Sequence, residues 1–134
     1  MKSFKSFLRE HQEAPPATQA FNVRVVSPSD GNAFQQGLMH EKDMPLDEGM
    51  FFIFEDEDYH GIWMKDTHIP LDVVWINESG TIVDITTLQP HDLRGATPRE
   101  PAKYILEVNA GEFSGRVGDR VGDSISKLIK CQKE

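Results

Sequence analysis

Residues 71–88 read LDVVWINESGTIVDITTL, and this stretch decides the fold class. Two runs rich in valine, isoleucine and threonine, 71–77 and 81–88, flank the polar tetrapeptide Asn77-Glu78-Ser79-Gly80. β-branched side chains suit a pleated, packed surface, and a short Asn/Gly segment between such runs signals a hairpin. Residues 73–76 are apolar on both faces of the strand, which predicts core strands rather than edge strands. Working outward, four further runs have the same character: FNVRVVS at 21–27, MFFIF at 50–54, GIWMK at 61–65 and KYILEV at 103–108. Glycine, proline, asparagine and aspartate punctuate the gaps. No long helical pattern alternates with these runs, so nothing predicts the crossovers of a parallel sheet. The expectation is a mostly β domain, a compact antiparallel barrel or sandwich with one or two short helices. The helix candidates are residues 30–40, with Phe34, Leu38 and Met39 toward the core, and 124–131, with Ile125, Leu128 and Ile129 on one face. Residues 91–101 (HDLRGATPREP) read as a surface loop.

A chain of 134 residues fits one domain with a core of its own. It carries 14 Lys+Arg against 22 Asp+Glu, a formal net charge of −8. That balance repels a phosphate backbone, so no nucleic-acid partner is expected. No apolar run approaches the roughly 20 residues of a membrane span, so no membrane partner is expected either. The single cysteine, Cys131, excludes an internal disulfide, a CxxC redox pair and a thiolate zinc site.

Residues 1–14, MKSFKSFLREHQEA, have a different pattern. Phe4, Phe7 and Leu8 form a short helical stripe with Lys2, Lys5 and Arg9 opposite, and Ser3 can cap the first turn. Pro15 and Pro16 end it and begin a linker over 15–20, leaving 21–134 as the domain. No apolar h-region follows the lysines, so this is not a secretory signal. The opening is similar to the capsid-targeting peptide on internal head proteins of large contractile-tailed phages. There a prohead protease cuts after a Leu/Ile-x-Glu tripeptide. The resemblance implies a cut after Leu8-Arg9-Glu10, before His11. It implies the prohead scaffold or protease as partner of residues 1–10, and the interior of the virion head as location. The ordinary alternative is a terminal helix with a structural role on a bacterial cytoplasmic or envelope protein.

The domain carries an ordered set of motifs: QGLMHEKDMPLDEG at 36–49 before MFFIF, WMKDTHIPLD at 63–72, YILE at 104–107 and VGD at 117–119. This set resembles the domain-of-unknown-function family numbered 192. The resemblance implies a small, mostly β single domain and supplies no activity. Three positions depart from the family pattern: Asp66 stands where asparagine is usual, and Phe34 and Glu41 stand where arginine is expected. If the family site holds an anion through those arginines, part of it is missing here.

The leading candidate site is Trp63, Met64, Lys65, Thr67, Pro70, Asp72 and Glu107. In a strand Trp63 and Lys65 point one way, and Lys65, Asp72 and Glu107 can form one polar cluster at a sheet edge or barrel mouth. Such a cluster beside an aromatic wall is either a ligand pocket or a structural network in which Glu107 pairs with Lys65 and Asp72 caps the turn after Pro70. A catalytic carboxylate pair, Asp72 with Glu107 or Asp84, is a further candidate, although 22 acidic residues make some pair available in any case. No metal is expected, because His11, His40, His60, His68 and His91 lack ligand spacing and 55–58 lacks the glycine of a calcium loop. GRVGDRVGDS at 115–124 lacks the GK[ST] of a P-loop, no GxSxG is present, and no cofactor is implied. The first functional reading is a non-enzymatic accessory or binding domain. The alternative is a small-ligand binder or enzyme built on Lys65, Asp72 and Glu107.

Overall fold

The computed structural model describes residues 21–122, 125–127 and 129–130. The N-terminal helix and linker expected over 1–20, with Leu8, Glu10 and His11, lie outside these residues, as do Leu128 and Cys131. Five strands form one sheet: β1 (Asn22–Val26), β2 (Glu48–Asp58), β3 (Leu71–Ile76), β4 (Ile82–Leu88) and β5 (Ala102–Asn109). Their order is β1-β2-β5-β3-β4. A 3-10 turn (Pro28–Asp30) and a short helix, α1 (Asn32–Gln36), lie between β1 and β2. Residues 125–127 and 129–130 are helical.

The hairpin forms as the sequence predicts. β3 and β4 pair antiparallel from Leu71↔Leu88 to Ile76↔Ile82. The Asn77 side-chain carbonyl accepts the Ser79 and Thr81 amides at 3.0 and 2.9 Å, and Gly80 takes φ 91°. Asparagine supplies the side-chain acceptor and glycine the left-handed backbone that this turn needs.

Every residue of β3 is buried, because β5 flanks it on one side, β4 on the other, and both faces of the sheet are covered. On one face Met50, Phe52, Val73, Trp75 and Ile105 pack under Leu38, Met64 and Ile69. On the other, Phe51, Val74, Ile76, Leu106 and Val108 pack under Phe21, Ile125 and Ile129. Two buried faces explain continuous apolar runs in place of alternation.

Three expectations change. The sheet stays open and does not close into a barrel. β1 pairs with β2 in parallel, in register Asn22↔Glu48 to Val26↔Phe52. The segment 27–47, carrying the 3-10 turn and α1, is long enough for the crossover that a parallel pair requires. Finally, residues 61–65 form no strand. They contribute one isolated bridge, Ile62↔Ala96, and a separate bond from the Met64 amide to the Asp92 carbonyl at 3.0 Å, without a continuous ladder to the 91–101 loop. That loop is pinned there, and again where the Arg99 amide donates to the Asp84 carboxylate at 2.9 Å.

Candidate functional site

The aromatic residues of β2 set one wall of a cleft. Phe52 and Phe54 alternate onto one face, and Phe34 of α1 meets both edge-on, with ring centroids 6.0 and 5.1 Å away. Gly37 ends α1 at φ 54°, its amide bonded to the Ala33 carbonyl. A Cβ at Gly37 would come within 3.2 Å of the Phe52 ring, so glycine lets the helix end close on the wall. Ile62, Trp63, Met64 and Thr67 face this wall across a cavity of about 190 Å³.

Glu107 of β5 lies at its floor. Register places it opposite Met50 on one side and Val73 on the other, so its side chain shares their face. It is 6% exposed, and its carboxyl meets no hydrogen-bond donor or cation among the described residues. Burial pushes its pKa up to about 8. Among the described residues it is the one ionisable side chain that lines the cavity.

The segment 64–67, whose Met64 and Thr67 line the cleft, turns through one left-handed residue, Asp66. Among the described residues three non-glycine residues have left-handed φ: His40 at 70°, Asp66 at 52° and His91 at 64°. All three meet at this segment. The His40 amide donates to the Asp66 carbonyl at 2.8 Å, and the His91 amide to the Thr67 carbonyl at 3.1 Å. Strained backbone persists where its surroundings over-determine it, and such positions cluster at ligand clamps. The Thr67 hydroxyl, buried in the wall, donates to the Lys65 carbonyl at 3.1 Å.

The structure divides the expected site. Trp63, Thr67 and Glu107 line one cleft, with Trp63 on the rim at 51% exposure. Lys65 is exposed and borders a separate shallow depression with Trp63, Asp66, His91 and Leu93, its Nζ 5.5 Å from the Trp63 ring centre. Asp72 lies on the opposite face of the sheet, since it pairs with Val108 while Glu107 pairs with Val73. Its carboxylate accepts the Thr87 hydroxyl at 2.6 Å and the Gly111 and Phe113 amides at 2.9 and 3.4 Å. The single Lys65–Asp72–Glu107 cluster therefore does not form. Asp72 secures the turn after β5, not the one after Pro70. Asp72 and Glu107 cannot flank one substrate, and Asp84 is engaged by the Arg99 guanidinium at 3.2 Å. Among the described residues no three His, Cys, Asp or Glu side chains converge to hold a metal ion, and no helix is long and apolar enough to cross a membrane.

The DUF192 family model, described as Uncharacterized ACR, matches residues 12–126. This chain belongs to the DUF192 family. A UPF0127 protein of Pyrococcus furiosus is 38% identical to this DUF192 chain over 65 residues, 46% of this chain and 52% of that protein. The match thus spans about half the length of that curated relative. The crystal structure described as a putative transcription regulator from Sinorhizobium meliloti 1021 superposes with a TM-score of 0.68. It has 37% identity, over 73% of this chain and 78% of that one. A protein of unknown function from Novosphingobium aromaticivorans gives a TM-score of 0.67 at 27% identity, over 75% and 73% of the two chains.

Three of the motifs that carry the DUF192 resemblance meet at the cleft. Gly37-Leu38-Met39, then Trp63, Met64 and Thr67, then Ile105 and Glu107 all line it. The residues missed from sequence are the aromatic wall, Phe34, Phe52 and Phe54. MFFIF and the helix candidate were both visible signals, but nothing local says that they face each other.

Proposed function

We propose that this DUF192 domain is a small-ligand-binding module whose site is the cleft over Glu107. One observation carries the reading: a buried carboxyl without a protein partner stands at the floor of an aromatic cleft. An unpaired buried polar group is destabilising, and a bound molecule that completes it offsets that loss. Mostly apolar walls with few convergent polar groups are the usual form of a small-molecule site. The reading is non-enzymatic, since Glu107 faces neither a second carboxylate nor an imidazole across the cleft. A nucleic-acid role, suggested by the description of the Sinorhizobium relative, gains no support from a net charge of −8. The test is a fragment screen read by amide chemical shifts. Binders should perturb Phe52, Thr67 and Glu107 together. Fragments that bind only elsewhere, or not at all, would sink the reading.

A second reading concerns the N-terminus and is independent of the cleft. We propose that residues 1–10 are a removable address that delivers the domain to a phage prohead. Its support is the Leu8-Arg9-Glu10 tripeptide ahead of Pro15-Pro16, and a family match that begins at residue 12, just past the cut expected before His11. The intact mass of the protein from its native source decides it. A species starting at His11 supports the address, and a full-length species in mature particles overturns it.

A further inference from the structure

We infer that the ligand of the Glu107 cleft is an organic ammonium ion, a small cation with an apolar body. This inference rests on the ligand-binding reading above and names the chemistry of the molecule. Among the described residues Glu107 is the one ionisable side chain lining the cavity, and no Lys, Arg or His accompanies it. An anion would meet no counter-charge there, and a wholly apolar molecule would leave the carboxyl unpaired. A bare metal ion would find one carboxylate, with only neutral Gln35, Gln36 and Thr67 beside it, and no second acidic or imidazole ligand among the described residues.

The walls fit the same chemistry. Phe34, Phe52, Phe54 and Trp63 all border the cavity. Aromatic faces attract ammonium groups through the ring quadrupole, most strongly where water is excluded. Glu107 sits below them at 6% exposure, so an ammonium over the carboxylate is enclosed by rings. Lys65 lies outside the cleft beside Trp63 and does not line it. The net charge of −8 raises the local concentration of cations around the whole domain. The volume, about 190 Å³, suits a single-ring or short-chain amine.

Binding also has a proton signature. With its pKa raised to about 8, Glu107 is largely protonated in the empty cleft at neutral pH. An ammonium ion favours the carboxylate, so its arrival expels a proton. Among the described residues no other titratable side chain lines the cleft; His60 stacks on the Phe54 ring at 3.9 Å and Lys65 stands by Trp63, and both are outside the lining.

The experiment titrates the full chain with three molecules of one shape and different charge: benzylammonium, benzyl alcohol and benzoate. Benzylammonium is expected to bind at least roughly tenfold tighter than benzyl alcohol, and benzoate not at all. Glu107→Gln should bring benzylammonium down to the alcohol's affinity and leave the alcohol unchanged. Benzylammonium affinity should rise roughly tenfold or more between pH 6 and pH 8 for the wild type, and stay flat for the variant. If benzyl alcohol binds in the cleft as tightly as benzylammonium, the ammonium inference falls and the ligand-binding reading stands. If benzoate binds tightest, the inference falls in the same way. If none of the three perturbs the cleft, the ligand-binding reading falls and takes the inference with it.

Discussion

Asp72 and Glu107 face opposite sides of one sheet, because across the β3–β5 ladder Asp72 stands opposite Val108 and Glu107 opposite Val73. The two carboxyls are both buried, at 6% exposure each, yet their surroundings differ in kind. Asp72 gathers a hydroxyl and two backbone amides. Glu107 gathers none and opens on a cleft. The first is a fastener between β3, β4 and the turn after β5. The second is a carboxyl whose burial disfavours its charged form.

The effect of Glu107 on stability depends on pH. Its folded-state pKa is raised from 4.5 to about 8, so its contribution is fully present below pH 4.5 and is lost as pH rises through 8. Glu107→Gln has no such dependence. The variant should match the wild type near pH 4.5 and exceed it by several kcal/mol, on the order of 3 to 5, above pH 8. Urea unfolding of both proteins at pH 4.5, 6.5 and 8.5 checks this. A constant difference across the three would contradict the raised pKa.

Asp72→Ala should behave in the opposite way. It leaves the Gly111 amide and the Thr87 hydroxyl without their acceptor, at a loss of about 3 kcal/mol. Hydrogen exchange at Gly111 should accelerate with it, while ligand binding in the cleft is unchanged. A variant of wild-type stability would show that water replaces the carboxylate.

Tyr104 carries a buried hydroxyl with no hydrogen-bond partner among the described residues. Burial, with Glu78 and Glu57 nearby, raises its pKa. Its ring stacks on Phe51 at 5.5 Å, and that contact does not need the oxygen. Tyr104→Phe should therefore be neutral or stabilising by about 1 kcal/mol. A clear loss of stability in thermal unfolding would reveal a partner for the hydroxyl.

The two tryptophans should separate in fluorescence. Trp75 is 0% exposed and donates its indole N–H to the His60 carbonyl at 2.8 Å, whereas Trp63 stands on the cleft rim. Trp63→Phe should leave emission that a neutral water-soluble quencher barely reaches, with little loss of stability. Trp75→Ala should lose about 3 to 5 kcal/mol. Easy quenching in Trp63→Phe would place Trp75 at the surface and refute the packing described.

The hairpin, the central position of β3 and the mostly β class are all legible in residues 71–88. The signals there are local: β-branched runs, an Asn…Gly turn and apolar side chains on both faces of one strand. Phe34 and Leu38 as inward residues of the helix candidate are legible for the same reason, through spacing. Residues 61–65 have a composition that suits a strand, but a strand needs a continuous neighbour, and these residues bond to the 91–101 loop only at Ile62–Ala96 and Met64–Asp92. The cleft was half legible. Trp63, Thr67 and Glu107 stood out as polar or aromatic residues in otherwise apolar motifs, whereas Lys65 and Asp72 stood out equally and belong elsewhere.

Five of the six strand segments, the position of the hairpin turn and the residue types of the core are written in the local sequence, since each is settled among neighbours a few positions apart. Tertiary structure alone decided that β1 runs parallel to β2, that Phe34 meets Phe52 and Phe54, and that Asp72 and Glu107 part company. Those outcomes depend on register between distant strands. Side chains alternate along a strand with a period of two, so one step of register carries a carboxyl from a cleft on one face to a hydrogen-bonded turn on the other.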